Sequence, residues 1–254
     1  MRLASLSAAI AVAIGTSLAA QDGFFRQRAR PSPTIDESAR VDYDGRFAFV
    51  RLRYSGFEGG FRRDPPWSHD YPRAERHFMR ILREITLLNP HLDESNIFTL
   101  DDPELFNYPV AYMSEPGYWT MSDVEVQGMR NYLQKGGFVI FDDFRGRDWE
   151  NFDQQMRRVL PEGRFVELDA KNPIFHSFFE INSLEFVQMY DRGKASFLGI
   201  FEDNDPGKRL LLIANYNNDI GEYWEFSDEG YVPIDLSNEA YKFGVNYVVY
   251  ALTH

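Results

Sequence analysis

The sequence predicts an α/β fold of three layers, flavodoxin-like, with helices on both faces of a mostly parallel sheet. Three observations support this class. The run Phe138–Phe141 is apolar without polar alternation, which is typical of a strand buried on both faces. A helix opened by the capping-box pair Ser122 and Glu125 and ended by Gly136 precedes that run. Strand-like and helix-like segments also alternate as far as Pro161, as in parallel α/β sheets.

The other elements follow from apolar periodicity and turn residues. Up to Pro161, we expect strands at 46–54, 96–100 and 109–113 and helices at 72–88 and 149–159. Beyond it, we expect strands at 165–168, 184–187, 197–201 and 210–214 and a last helix at 240–251. The Pro206-Gly207 turn between the last two strands predicts a hairpin, so this part should form an antiparallel edge or hairpin extension of the sheet.

The chain is expected to be exported. Residues 1–20 combine a basic start with an apolar run and a small-residue cleavage site, which predicts a signal peptide rather than a lasting membrane span. Residues 21–40 are rich in Arg and Pro and read as a disordered linker. Residues 41–254 are then one domain, located in the periplasm or outside the cell.

Composition limits the classes of function. The formal net charge is −12 and the chain contains no cysteine. An acidic chain without a basic stripe is a poor partner for nucleic acid or for an anionic membrane. We therefore expect a protein partner or a small ligand in the cell envelope. The histidines show no His-x-x-x-His or Glu-x-x-His spacing, which argues against a zinc site.

Asp142 and Asp143 are the leading candidates for chemistry, because they directly follow the buried strand. Ligands gather at the carboxyl ends of the strands in parallel sheets, and adjacent carboxylates suit a hard cation or general acid–base work. The alternative is structural: one aspartate caps the next helix or loop, and the other pairs with Arg145 or Arg147.

Other strand ends supply further candidates. Glu115 follows the strand at 109–113, and it joins the two aspartates and His69 as a candidate catalytic residue. Asp101 and Asp102 follow the strand at 96–100, and together with Asp142 and Asp143 they are the candidate ligands of a divalent cation. No other cofactor is expected.

A weaker set of candidates could bind an organic ligand. It comprises Ser55, Ser114, Trp67 and Trp119, beside Glu115. The serines lack a Gly-x-Ser-x-Gly elbow, so a catalytic triad is a poor interpretation. Indoles near carboxylates could stack on a sugar, although aromatic residues in loops more often simply pack.

Several segments together resemble bacterial domain-of-unknown-function family 4159. They are Arg53-Tyr54-Ser55-Gly56 and the segments at 70–74, 100–105, 112–117, 136–138, 172–176 and 243–247. That family is similar to class I glutamine amidotransferase-like domains, which implies a flavodoxin-like sheet but no activity. Such amidotransferases use a cysteine thiolate on a sharp turn after a central strand, and this chain has no cysteine. Glutamine hydrolysis by that route is therefore excluded.

Two functions are consistent with these observations. The first is an exported, non-catalytic binding or interaction module on a degenerate amidotransferase-like scaffold, in a cell-envelope assembly. The alternative is a carboxylate- or metal-dependent hydrolase or lyase that acts on a carbohydrate-like substrate through Asp142, Asp143 and Glu115.

Overall fold

The computed structural model describes residues 40–56, 64–185 and 193–254. These residues belong to one compact unit that spans Ile35–His254. The predicted signal peptide and all of the predicted linker except Arg40 lie outside the described residues.

A seven-stranded sheet forms the centre of the domain. Its strands, in spatial order, are β3, β1, β4, β6, β9, β8 and β7. In chain order the bounds are β1 Phe49–Leu52, β2 Ser55–Gly56, β3 Ser95–Phe98, β4 Val110–Ser114, β5 Trp119–Thr120, β6 Phe138–Phe144, β7 Val166–Glu167, β8 Ser196–Phe201 and β9 Leu210–Tyr216. The first five strands in the spatial order run parallel, β8 and β7 add an antiparallel edge, and β2 pairs with β5 in a separate small sheet.

Strand β6 lies in the middle of the sheet, as its uninterrupted apolar sequence predicts. All seven of its residues are buried. It pairs in parallel with β4 on one side and β9 on the other, and Ser114 of β4 stands opposite Asp142 of β6. The carboxyl ends of these three neighbouring strands therefore meet at one edge of the sheet.

Five helices cover the two faces of the sheet. They are α1 Arg73–Ile85, α2 Asp123–Gln134, α3 Asp148–Val159, α4 Ile220–Glu225 and α5 Ile234–Thr253. Buried residues of α1, α4 and α5 form one apolar cluster with one face, and those of α2 and α3 form a second cluster with the other face. The three-layer α/β class is thus confirmed. None of these helices, within the described ranges, has both the length and the apolarity of a membrane span.

The individual elements agree with their sequence signals in most places. Both hydrogen bonds of the capping box between Ser122 and Glu125 are present at the start of α2. Gly136, just beyond the end of that helix, has a φ of 109°, a value that glycine adopts readily.

The strand predicted at 184–187 is not observed where the structure describes it. Leu184 and Glu185 belong to no strand, and residues 186 and 187 lie outside the described ranges. Leu184 packs against the cluster that contains α1, α4 and α5, so tertiary packing explains its apolar character. The short helix α4 and the β2–β5 pair were not predicted, because six and two residues carry too little periodicity to read.

Candidate functional site

Four polar residues at the carboxyl edge of the sheet have a left-handed backbone conformation. These are Asp70 with φ 65°, Glu115 with φ 47°, Asp143 with φ 55° and Asn217 with φ 54°. Such a conformation costs a non-glycine residue on the order of 1–3 kcal/mol, and such residues cluster at functional sites. Asp70 precedes α1, Glu115 and Asn217 follow the ends of β4 and β9, and Asp143 is the last residue but one of β6. Among the described residues, the other two non-glycine residues of this kind are Asp203 and Asn204, between β8 and β9.

Asp143 owes its direction to an irregularity in β6. The pairing register between β6 and β9 shifts between Phe141 and Phe144, at the two aspartates. A bulge of this kind bends the strand and turns a side chain away from the regular alternation. The carboxylate of Asp143 consequently reaches the ring of His69, whose Nδ1 lies 2.7 Å from Asp143 Oδ2.

The His69–Asp143 pair lies among further carboxylates. Asp70 and Glu222 offer oxygens near His69 in one group, and Glu115 and Asp143 do so in a second group. Asp219, at the start of α4, belongs to the same neighbourhood, since its charge acts on His69. We define the acidic rim as His69 with the five acidic residues, namely Asp70, Glu115, Asp143, Asp219 and Glu222.

The carboxylates of the acidic rim are buried, whereas the imidazole is partly open to solvent. All five acidic residues are buried, and the side chain of Asp70 is 0 % exposed. The side chain of His69 is 38 % exposed. A ligand from solvent thus meets the imidazole first and the carboxylates behind it.

Burial and mutual repulsion alter the protonation of the acidic rim. Burial, followed by the charge of Glu222, raises the pKa of Asp70 well above its ordinary value. Burial, followed by the charge of Asp143, does the same to the pKa of Asp219. The charge of Asp143 disfavours ionisation of Asp219, so a proton or a cation that compensates one of these two buried carboxylates is favoured.

In the His69–Asp143 pair, the interaction between the two partners outweighs the effect of burial on their pKa values. Burial alone would lower the pKa of His69, but the hydrogen bond and charge of Asp143 outweigh it and raise that pKa to about 10. Burial alone would raise the pKa of Asp143, but the hydrogen bond and charge of His69 lower it. The pair is therefore an imidazolium–carboxylate ion pair at neutral pH.

Two of the other carboxylates, those of Asp70 and Asp219, have oxygens without a hydrogen-bond donor among the described residues. Neither carboxylate oxygen of Asp70 has a hydrogen-bond partner among the described residues, and Asp219 Oδ2 has none there either. Asp219 Oδ1 does accept a bond from the backbone N–H of Glu222. A buried carboxylate that lacks donors is costly unless a cation or a proton compensates its charge.

A buried arginine holds the loop that carries His69. Arg51 lies on β1, is fully buried and forms an ion pair with Glu75 of α1. Its Nη1 donates to the backbone carbonyls of Trp67, at 3.0 Å, and His69, at 2.7 Å. Phe49 and Arg51 lie on the same face of β1 because strand side chains alternate, so this charge points into the layer that contains α1.

Asp142 lies next to Asp143, but its carboxylate holds neighbouring elements of the fold together. Its carboxylate accepts hydrogen bonds from Tyr112 Oη at 2.8 Å, Asn215 Nδ2 at 3.0 Å and the Gly221 backbone N–H at 2.9 Å. Burial raises its pKa to about 6, although these three bonds act against that rise. The three bonds tie β4, β9 and α4 to β6. Asp142 is thus structural, but it holds β4, β9 and α4 instead of capping the next helix or loop as the structural interpretation expected, and Asp143 reaches His69.

Two groups of side chains in the acidic rim could hold a metal ion. One is His69, Asp70 and Glu222, and the other is His69, Glu115 and Asp143. Within each group the ligand atoms lie within 4.8 Å of one another. Of the four sequence-predicted metal ligands, Asp143 is thus the one that belongs to such a group within the described residues.

Asp101 and Asp102 lie elsewhere, which corrects their placement in a shared metal site. They follow β3, which is an edge strand of the sheet. Their loop packs closely on α2. A Cβ added at Gly128 of that helix would lie only 2.0 Å from the carbonyl oxygen of Leu100. Asp102 caps the following turn and pairs with Arg40 at 2.8 Å, and Asp101 is exposed.

The predicted organic-ligand residues are also dispersed. The expectation of accessible indoles is wrong, since Trp67 is 4 % and Trp119 0 % exposed, both within the cluster beneath α2 and α3. Ser55 is exposed on the small β2–β5 sheet. Ser114 is fully buried beside the rim, and its Oγ has no hydrogen-bond partner among the described residues.

Sequence reasoning missed three members of the acidic rim. Asp219 and Glu222 belong to a polar run that follows β9, and that run was a usable signal, because β9 is an apolar strand like β6. Asp70 adjoins His69 in the sequence. Its carboxylate meets that of Glu222 near one imidazole only because α1 and α4 pack together on one face.

Comparison with known proteins identifies the family. No curated protein matches the chain. The family described as "Domain of unknown function (DUF4159)" matches residues 48–252, which include every strand and helix of the structure apart from the last residue of α5. The chain therefore belongs to the DUF4159 family.

Proposed function

We propose that this chain is an exported binding module that takes up a positively charged ligand at the acidic rim. The observation that carries the proposal is the buried, donor-poor carboxylate of Asp70 beside four other buried carboxylates. A cation that enters the acidic rim would take the place of the protons that otherwise compensate these buried carboxylates.

The absence of a thiol supports binding rather than amidotransferase-like catalysis. The turn after the central strand β4 carries Glu115, and the irregular end of β6 carries Asp143, both in the left-handed conformation. Neither carboxylate can replace a cysteine nucleophile, and the sequence holds no cysteine. On an amidotransferase-like scaffold, these positions would serve to present charge to a ligand.

The bonding of Asp142 favours the binding function over carboxylate-dependent hydrolysis of a carbohydrate. Such hydrolysis needs two carboxyl groups that face one substrate pocket. Asp142 instead directs its two oxygens to Tyr112, Asn215 and Gly221 inside the domain. One of the carboxylates that the hydrolase interpretation requires is therefore engaged in holding the fold.

The proposal is tested by titration of the purified full chain, after treatment with a chelator, against a panel of cations. The panel contains divalent metal ions and organic cations, namely putrescine, spermidine and lysine. We expect one member to raise the melting temperature by ~5–10 °C at about one hundred times its Kd, because a ligand that binds only the folded state stabilises it by mass action.

Two isosteric variants and one matched control complete the test. Glu115→Gln and Asp143→Asn remove a charge from the acidic rim and should weaken binding by at least ~10-fold. Asp101→Asn removes the same charge from an exposed strand end and should leave binding unchanged. If no panel member binds, or if the rim variants bind as tightly as the control, the proposed function is overturned.

A further inference from the structure

We propose that the cation is a divalent transition-metal ion, held by a ring nitrogen of His69 and by carboxylates of the acidic rim. This inference rests on the proposed function and names the ligand of the same site. It concerns two overlapping groups that share His69: one contains Asp70 and Glu222, and the other contains Glu115 and Asp143.

The state of Asp70 provides evidence that is independent of the clustering of acids. Its side chain is completely buried, and both of its oxygens lack a hydrogen-bond partner among the described residues. The same carboxylate lies near His69, with Asp70 Oδ1 3.6 Å from His69 Nδ1. The two buried oxygens, behind a partly exposed imidazole, have lone pairs for which the described residues supply no donor.

The local packing fixes the positions of the Asp70 carboxylate and of the loop that carries His69. A Cβ at Gly221 would lie 2.7 Å from Asp70 Oδ2, so the α4 backbone approaches the carboxylate where only glycine fits. The carbonyl of His69 is fixed by Arg51, and Arg51 is fixed by Glu75. Side chains that neighbouring residues already hold in position lose less conformational freedom when they bind a metal ion.

The burial of Asp70 favours a small ion over an organic cation. An alkylammonium ion brings a carbon chain that must also be accommodated beside a side chain that is 0 % exposed. The imidazole also favours a metal ion, since its nitrogen becomes a strong metal ligand once the ion displaces the ring proton.

The donor set distinguishes between metals. Ca²⁺ and Mg²⁺ are bound mainly through oxygen, whereas one imidazole with several carboxylates suits Mn²⁺ or Zn²⁺. The sequence lacks a local zinc motif because the ligands come from separate segments, namely the loop before α1, the turn after β4, the end of β6, and α4. A site assembled in this way leaves no short spacing pattern.

The experiment uses the chelator-treated full chain and chloride salts of single metals as probes. Calorimetric titration with ZnCl2, and Mn²⁺ paramagnetic resonance with MnCl2, should show saturable binding at the acidic rim. Zn²⁺ should bind at least ~100-fold more tightly than Ca²⁺ or Mg²⁺. His69→Ala should weaken Zn²⁺ binding by at least ~100-fold, and Asp70→Asn, which keeps the size of the side chain, by at least ~10-fold.

The control is Asp101→Asn, which should bind Zn²⁺ like the wild type. If organic cations bind and metal ions do not, this inference is overturned and the proposed function stands. Ca²⁺ or Mg²⁺ binding as tightly as Zn²⁺ would overturn the assignment to transition metals alone. Zn²⁺ binding that is unaffected by both His69→Ala and Asp70→Asn would place the ion elsewhere. If no cation binds, the proposed function is overturned as well.

Discussion

Replacement of Arg51 by methionine should lower the free energy of unfolding by about 3–5 kcal/mol, because it leaves the buried carboxylate of Glu75 without its partner. The change also removes the donor that holds the carbonyls of Trp67 and His69. Since a domain is stable by only about 5–15 kcal/mol in total, this is a large fraction. Equilibrium unfolding in urea measures it.

A double-mutant cycle separates the charge from the packing. Glu75→Leu alone should also destabilise, because it leaves the buried guanidinium without a carboxylate. The double variant, Arg51→Met with Glu75→Leu, should be more stable than the sum of the single effects by at least ~1 kcal/mol. It should not recover wild-type stability, because the two loop carbonyls stay without their donor. Additive single effects, or a nearly neutral Arg51→Met, would show that the ion pair does not hold this loop.

The second large effect is expected at Asp142. Its replacement by alanine leaves three buried donors unpaired, those of Tyr112, Asn215 and Gly221, and removes a link between β6 and α4. An unpaired buried donor costs about 1–3 kcal/mol, so three of them should cost roughly 3–9 kcal/mol in total. Urea unfolding of Asp142→Ala beside the wild type provides the value.

Two further variants show that the lost bonds cause the effect. Asp142→Asn still accepts part of the network and should cost less than Asp142→Ala. Tyr112→Phe should destabilise the wild type by about 1 kcal/mol, yet be neutral or stabilising in the Asp142→Ala background, where the hydroxyl has already lost its acceptor. If Tyr112→Phe costs the same in both backgrounds, the Tyr112–Asp142 bond contributes nothing to stability.

Local signals determined the parts of the fold that the sequence predicted well. The apolar run of β6 and the capping box of α2 each specify an element within about a dozen residues, and both are present. The segment at 184–187 carried a similar apolar signal without forming a strand over its described part. There Leu184 packs on the core through tertiary contacts that local sequence does not encode.

The candidate site was predictable to the extent that it depends on strand ends. Asp143, Glu115 and His69 were singled out, and the structure brings all three together. Asp101 and Asp102 had the same signal, but strand order decides which ends are neighbours, and β3 lies at the edge of the sheet. Asp70 and Glu222 could not be paired from sequence, because only the packing of α1 and α4 on one face brings them together.

The most direct test of the account is the position of the cation. Crystals of the full chain soaked in ZnCl2 should show an anomalous difference peak in the acidic rim, about 2.0–2.2 Å from a ring nitrogen of His69 and from carboxylate oxygens. A saturating soak that leaves the acidic rim without a peak, or that shows peaks only at exposed acids such as Asp101, would contradict the account.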